Sequence, residues 1–198
     1  AILGHMGSSA VAANSVAQVA RQLATVVSFG LSSAAAIYLG KTIGERKTDH
    51  ARAYSKRFIY LSLLMGALGG LVILMISPFA AAALSLTETA KEYLRFMFFV
   101  MSYFVVGQAF NSTMVVGIFR SGGDTRFGLI LDVSTMWCCS ILLGFIAAFV
   151  LKWNVPAVYV ILMSDEIIKI PITTWRYRKY RWLRDVTREN DALPGALA

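Results

Sequence analysis

The chain has 198 residues, 57% of them hydrophobic and only 15% charged, with a mean hydropathy of +0.62. A soluble globular domain carries about 25% charged residues, so an ordinary water-soluble fold is excluded. The net charge of +8 would suit nucleic acid, but the basic residues lie in loops between long apolar runs, and no nucleic-acid partner is expected.

Phe58 to Thr87, Phe96 to Phe119 and Val133 to Leu151 each lack an acid or a base over 30, 24 and 19 residues. A bilayer core of about 30 Å needs roughly 20 helical residues, and a backbone in lipid must bond to itself. The fold class is therefore all-α: a polytopic membrane helix bundle of five spans. The first runs from about Ser8 to Leu39, with Ser8 or Ser9 placed to cap its start. The second, about Phe58 to Leu84, carries Gly66, Gly69 and Gly70, which let a neighbouring helix approach closely, and Pro78 near its far end. The third is about Phe96 to Phe119 and the fourth about Phe127 to Leu151. The fifth, about Val155 to Trp175, is the least hydrophobic, and Pro171 is placed to kink it. Residues 1–188 form one transmembrane unit. A basic tail begins at Arg176 and ends in a short disordered stretch rich in Asp, Pro, Gly and Ala up to residue 198.

Lysine and arginine sort by alternate loops. Six lie in 40–57, two in Arg120 to Arg126 and six in the tail, against none before the first span, two in 85–95 and one in 152–154. The positive-inside rule then places the N-terminus outside and the C-terminus in the cytoplasm. Ala1 to Arg21 lacks the basic start and short apolar core of a secretory leader. The chain opens on Ala1 rather than methionine, and we expect it to be a piece of a longer protein.

Polar groups within the spans are the candidates for function. Asn14, Gln18, Arg21, Gln22 and Thr25 fall on one face of the first helix. Such groups can bond helices together, but a central Arg costs roughly 2.5–3.5 kcal/mol to insert. That cost favours a cavity wall. Gln108 and Asn111 share a face of the third span, with Ser112 beside them. Asp132 either pairs with Arg21 or lies near the cytoplasmic interface, six residues after Arg126; the interfacial reading is the stronger. Asp165, Glu166 and Lys169 stand at i, i+1 and i+4 and can pair locally, as a structural cluster or as a proton or ion site. The glycines of Arg120–Arg126 fit a tight turn better than a phosphate cradle. Cys138 and Cys139 lie inside a span without metal-ligand or disulfide spacing, and His5 and His50 sit at loops. No nucleophile, metal cluster or dinucleotide fingerprint is present, so neither an enzyme nor a cofactor is expected.

Some of these stretches resemble a known family. Ala12-Ala13-x-Ser15, then Gly30-Leu31-Ser32-Ser33-Ala34-x3-Tyr38-Leu39-Gly40-x2-Ile43-Gly44 with Ala51 downstream, is similar to a helix and following loop of the multidrug and toxin extrusion (MATE) transporters. Arg120-Ser121-Gly122-Gly123-Asp124-Thr125 followed by Asp132-Val133-x2-Met136-Trp137, and Asp165-Glu166-Ile167-x-Lys169 ahead of an Arg-rich end with Trp182, resemble bacterial members. Of these, Gly30 to Gly44 is the most diagnostic, as a packing surface and cytoplasmic turn.

The resemblance implies the last five helices of a twelve-helix, two-lobe transporter: five spans of the six-helix C-terminal lobe. The missing N-terminal lobe of the same protein would be its partner. It also implies a multi-pass protein of a bacterial plasma (inner) membrane. The family exports amphipathic, often cationic compounds, drugs and toxins among them, by antiport with H⁺ or Na⁺. Asn14, Gln18, Arg21 and Gln22 would line the cavity, with Gln108 and Asn111 across from them. Some members place coupling acids in the seventh and tenth helices. The seventh is absent here and the counterpart of the tenth has none, so coupling would rest on the missing lobe. The alternatives are a lipid-linked oligosaccharide flippase of the same superfamily and a non-transporting membrane scaffold.

Overall fold

The computed structural model describes residues 4, 7–83, 87–180 and 182–183. His5, residues 84–86, the tail cations Arg181, Arg184 and Arg188 and the expected disordered end lie outside them. Among the described residues all regular structure is helical. Helix α1 is Ser8–Gly44, α2 is Thr48–Ala83 and α3 is Glu88–Ser112, which runs on as a wider π-helical stretch over Thr113–Phe119. Helix α4, Thr125–Thr135, likewise continues through wide turns at Met136–Leu143 and Ile146–Val150. Four of these units are long and apolar enough to cross a membrane.

The expected fifth span is not one helix. It is split into α5, Val155–Leu162, and α6, Asp165–Arg178. The chain breaks at Met163 and Ser164, where Met163 leaves helical geometry with ψ near 5°. The break is stabilised from outside: the Ser140 hydroxyl on α4 donates to the Leu162 carbonyl at 3.0 Å. Pro171 sits inside α6 without ending it. Helix α6 runs three residues past the expected end at Trp175.

Helix α1 packs small residues inward and large ones outward. On α1 the buried stripe is Ala10, Ala13, Ala17, Thr25, Ser28, Ser32 and Ala35, while Leu23, Val26 and Ile37 are 70%, 63% and 75% exposed. That inversion suits lipid, where close backbone approach drives helix association. The α2 glycines serve it as expected. A Cβ on Gly66 would stand 2.9 Å from the Val106 Cα, and one on Gly70 would run into the Ser102 carbonyl of α3. The α1 glycines do not. A Cβ at Gly30 or Gly44 would meet open space, and at Gly40 only Ser121 at 3.9 Å. Ser8 and Ser9 also fail to cap α1: Gly7 stands at its start, and the Ser9 hydroxyl bonds to Thr87 at 3.2 Å.

Helix α3 is the centre of the bundle: its apolar stretch is more buried than those of the other three long helices. It carries two separate apolar clusters. One gathers Ala10, Ala13 and Ala17 with Leu94, Phe98, Met101 and Tyr159. The other gathers Leu39, Ile43 and Ala51 with Met114, Ile118, Phe119 and Trp182. The second cluster draws the loop after α1, the Arg120 turn and the end of α6 to one end of the bundle. In the sequence, 40–57, 120–126 and 176–188 together carry 14 of the 19 Lys and Arg residues. In that loop Lys47 donates to Glu45 at 2.8 Å, which holds the Glu45 carboxyl below its usual range. Between the two apolar clusters lies a polar layer.

Candidate functional site

The polar layer is built on one face of α6. Asp165, Glu166, Lys169, Thr173 and Arg176 follow at i, i+1, i+4, i+8 and i+11, a spacing that stacks side chains on one side of a helix. That face turns inward onto α3 and α4, because the opposite side offers Ile167, Ile168 and Ile172 outward.

Lys169 is the hub. Its Nζ lies 3.2 Å from Asp132 Oδ1 on α4, 3.4 Å from Asp165 Oδ2 and 3.4 Å from Glu166 Oε1. Its side chain is 7% exposed, and those of Asp165 and Glu166 are 14% and 13% exposed. A buried ion needs a partner to offset the loss of hydration; here three carboxylates face one ammonium. Asp132 pairs with Lys169 rather than Arg21, and its side chain, 47% exposed, closes the ring.

Asn111 ties the ring to α3. Its Nδ2 donates to the Glu166 backbone carbonyl at 2.7 Å and to Glu166 Oε2 at 2.8 Å, while the Thr173 hydroxyl donates to Asn111 Oδ1 at 3.4 Å. The side chain just above, Gln108, keeps its Oε1 buried without a hydrogen-bond partner among the described residues. Both amides, with Phe29, Ser112, Asp132, Glu166 and Lys169, line a cavity of about 210 Å³. Ser112 and Thr113, at the start of the π-helical stretch, bond the Ser32 hydroxyl of α1 at 2.9 and 3.2 Å. Gly117 makes room for that contact: a Cβ there would stand 3.2 Å from the Ser32 carbonyl.

The sequence-expected residues thus divide. Gln108, Asn111, Asp132, Glu166 and Lys169 converge on one cavity, and Asp165 joins them through Lys169. The seam of α1 stands apart from it, in the half of that helix nearer Ser8. Arg21 is half-buried and donates through Nε to Gln18 Oε1 at 2.9 Å. It is near enough to Tyr159 of α5 to act on its phenol electrostatically. Asn14 keeps its Oδ1 buried without a partner among the described residues, and Gln22 is exposed. Gln108 and Asn111 face α6 rather than this seam.

Sequence reasoning missed Thr173 and Arg176. Arg176 grips Asp124 of the glycine turn with two bonds, Nε to Oδ2 at 2.7 Å and Nη2 to Oδ1 at 3.0 Å, and lies over the Phe127 ring. The helical spacing from Glu166 was the available signal. The turn itself is tight, as expected: Gly123 has φ 81°, and a Cβ on Gly122 would run into the Trp182 carbonyl.

A family model for MatE, the MATE transporters, matches residues 1–150. The chain belongs to this family. It is a multi-pass membrane protein of the MATE superfamily, whose members are transporters. No solved structure matches it. The matched stretch of this MATE chain holds Gln108, Asn111 and Asp132. The broken α5–α6 pair, with Asp165, Glu166 and Lys169, follows it. In the MATE chain, then, the polar cluster joins helices of the matched stretch to the segment beyond.

Proposed function

We propose that this MATE chain forms the C-terminal lobe of a secondary transporter in the plasma membrane, exporting amphipathic or cationic organic compounds in exchange for a cation. The ring of Asp132, Asp165 and Glu166 around Lys169 carries this reading. With every group ionised the ring holds more negative than positive charge, in a setting where net charge is costly. A proton or a Na⁺ arriving there relieves the excess, and its departure restores it. The break at Met163 and Ser164 supports the same reading, since discontinuous helices lining a polar cavity are how transporters hold ions at mid-membrane. Cation uptake that favours one packing of α6 against α3 and α4 would bias the lobe between two arrangements. Arg21 and Gln18, in their separate half of α1, suit the solute path toward the other lobe. The cluster is made within this chain, so coupling need not rest on a lobe outside it.

A flippase for lipid-linked sugars would call for several cations around a wide cavity; the polar cavity here is about 210 Å³ and has Lys169 as its cation. The test is gradient-driven efflux of a fluorescent organic cation by the full-length protein in proteoliposomes. Glu166→Gln should cut pH- or Na⁺-driven efflux at least ten-fold while downhill movement of the dye persists. Unchanged coupling in that variant overturns the assignment of the ring. Failure of the wild-type protein to move any solute would leave a scaffold as the better reading.

A further inference from the structure

At the basic end of the bundle a second pocket opens between α2 and α6, apart from the polar ring, with a volume of about 460 Å³. Its two cations come from different helices, Lys56 near the start of α2 and Arg178 at the last residue of α6. Both are exposed, and among the described residues neither takes part in an ion pair. Among the described residues no carboxylate lines the pocket. Thr174 and the phenols of Tyr60 and Tyr180 add hydroxyls around these charges, whereas the deeper wall is apolar: Ile59, Phe110 and Met114.

The pocket is held in shape. The Tyr177 hydroxyl is bonded to the buried Ser55 of α2 at 2.8 Å, and the Tyr177 ring stacks on the fully buried Trp182 at 5.8 Å. Arg52, paired with Asp49 at 3.9 Å, lies over the Tyr180 ring at 4.5 Å and holds that ring at the rim. The pocket sits at the end of α2, which is long and apolar enough to cross a bilayer. Tyr60 and Tyr180 are 73% and 41% exposed there, the placement of aromatic side chains at a membrane–water interface.

We infer that this pocket binds the phosphodiester headgroup of an anionic glycerophospholipid, with Lys56 and Arg178 on the phosphate and the Ile59–Phe110–Met114 wall against the first part of an acyl chain. Basic pockets between spanning helices take such headgroups, and Arg offers a planar fork of donors that suits phosphate oxygens. The apolar wall marks the ligand as a lipid rather than a free phosphate, which would leave that surface uncovered.

Native mass spectrometry of the full-length protein in detergent tests this, with phosphatidylglycerol and phosphatidylcholine of identical acyl chains as probes. Phosphatidylglycerol should be retained on the order of ten-fold better. The double variant Lys56→Gln/Arg178→Gln should reduce its retention to that of phosphatidylcholine. Lys41→Gln/Arg46→Gln, which removes the same charge from the last turn of α1 and the loop after it, should leave the preference intact. The single variant Lys56→Gln, at an exposed position, should lose preference several-fold and guards against misfolding of the double variant. Equal retention of the two lipids, or equal loss in both double variants, overturns the proposal. So does displacement of the lipid by glycerol phosphate at matched concentration, which would mark a site for a free anion.

Discussion

The amide of Asn111 donates at once to the main-chain carbonyl of Glu166, at 2.7 Å, and to its carboxylate, at 2.8 Å. One side chain on the central helix thereby sets both the position of α6 and the direction of its most enclosed acid. Hydrogen bonds to charged groups contribute about 1.5–3 kcal/mol, and a buried acceptor left unmet costs a similar amount. Asn111→Ala should therefore destabilise the protein by roughly 2–4 kcal/mol, read as a lower midpoint of thermal unfolding in detergent. Asn111→Gln, too long to meet both acceptors, should recover little of this. An unchanged midpoint in Asn111→Ala would show that the paired bonds do not hold α6.

Lys169 presents the converse case. Removing one partner of a buried ionic group leaves the others uncompensated, at a cost of about 3–5 kcal/mol. Lys169→Met should be the most damaging single change in the ring, since it strands Asp165, Glu166 and Asp132 together. Adding Glu166→Gln to it should restore part of the stability, because one stranded charge is removed. A double-mutant cycle measured by unfolding should give a coupling of on the order of 1–3 kcal/mol. Strict additivity would mean that the two side chains do not interact.

Two glycines separate packing from mere presence. Gly70 abuts the Ser102 carbonyl of α3, whereas Gly30 on α1 faces open space. Gly70→Ala should force α2 and α3 apart and lower both yield and thermal stability. Gly30→Ala should do the opposite, raising helix stability by up to about 1 kcal/mol, since alanine is the better helix former. Parallel measurement of unfolding midpoints for the two variants checks the sign of each.

Much of the candidate site could be read from single residues and little of it from their pairing. Gln108, Asn111, Asp132, Asp165, Glu166 and Lys169 stood out because ionisable and amide groups are costly inside apolar runs. Their common destination did not, because Asn111 and Glu166 are 55 positions apart and a chain shows no distance across helices. Asp132 could be placed by its nearness to Arg126, but not its partner Lys169, 37 positions further along. Arg21, the most expensive residue of the seam, is answered locally by Gln18 one turn away.

By itself the sequence determined that the chain is helical and membrane-spanning, because apolar length and the internal bonding of a backbone in lipid are local demands. It also determined which stretches carry the family likeness and which polar groups must be sheltered. The tertiary structure decided where those groups meet. It decided that the last apolar stretch is two helices rather than one, since the break after Leu162 is met by a hydroxyl from Ser140 on another helix. It decided too that α6 turns its charged face inward, because only there do Asn111 and Asp132 await Glu166 and Lys169. Hydropathy fixes depth along a helix axis; rotation about that axis is set by the partners packed beside it.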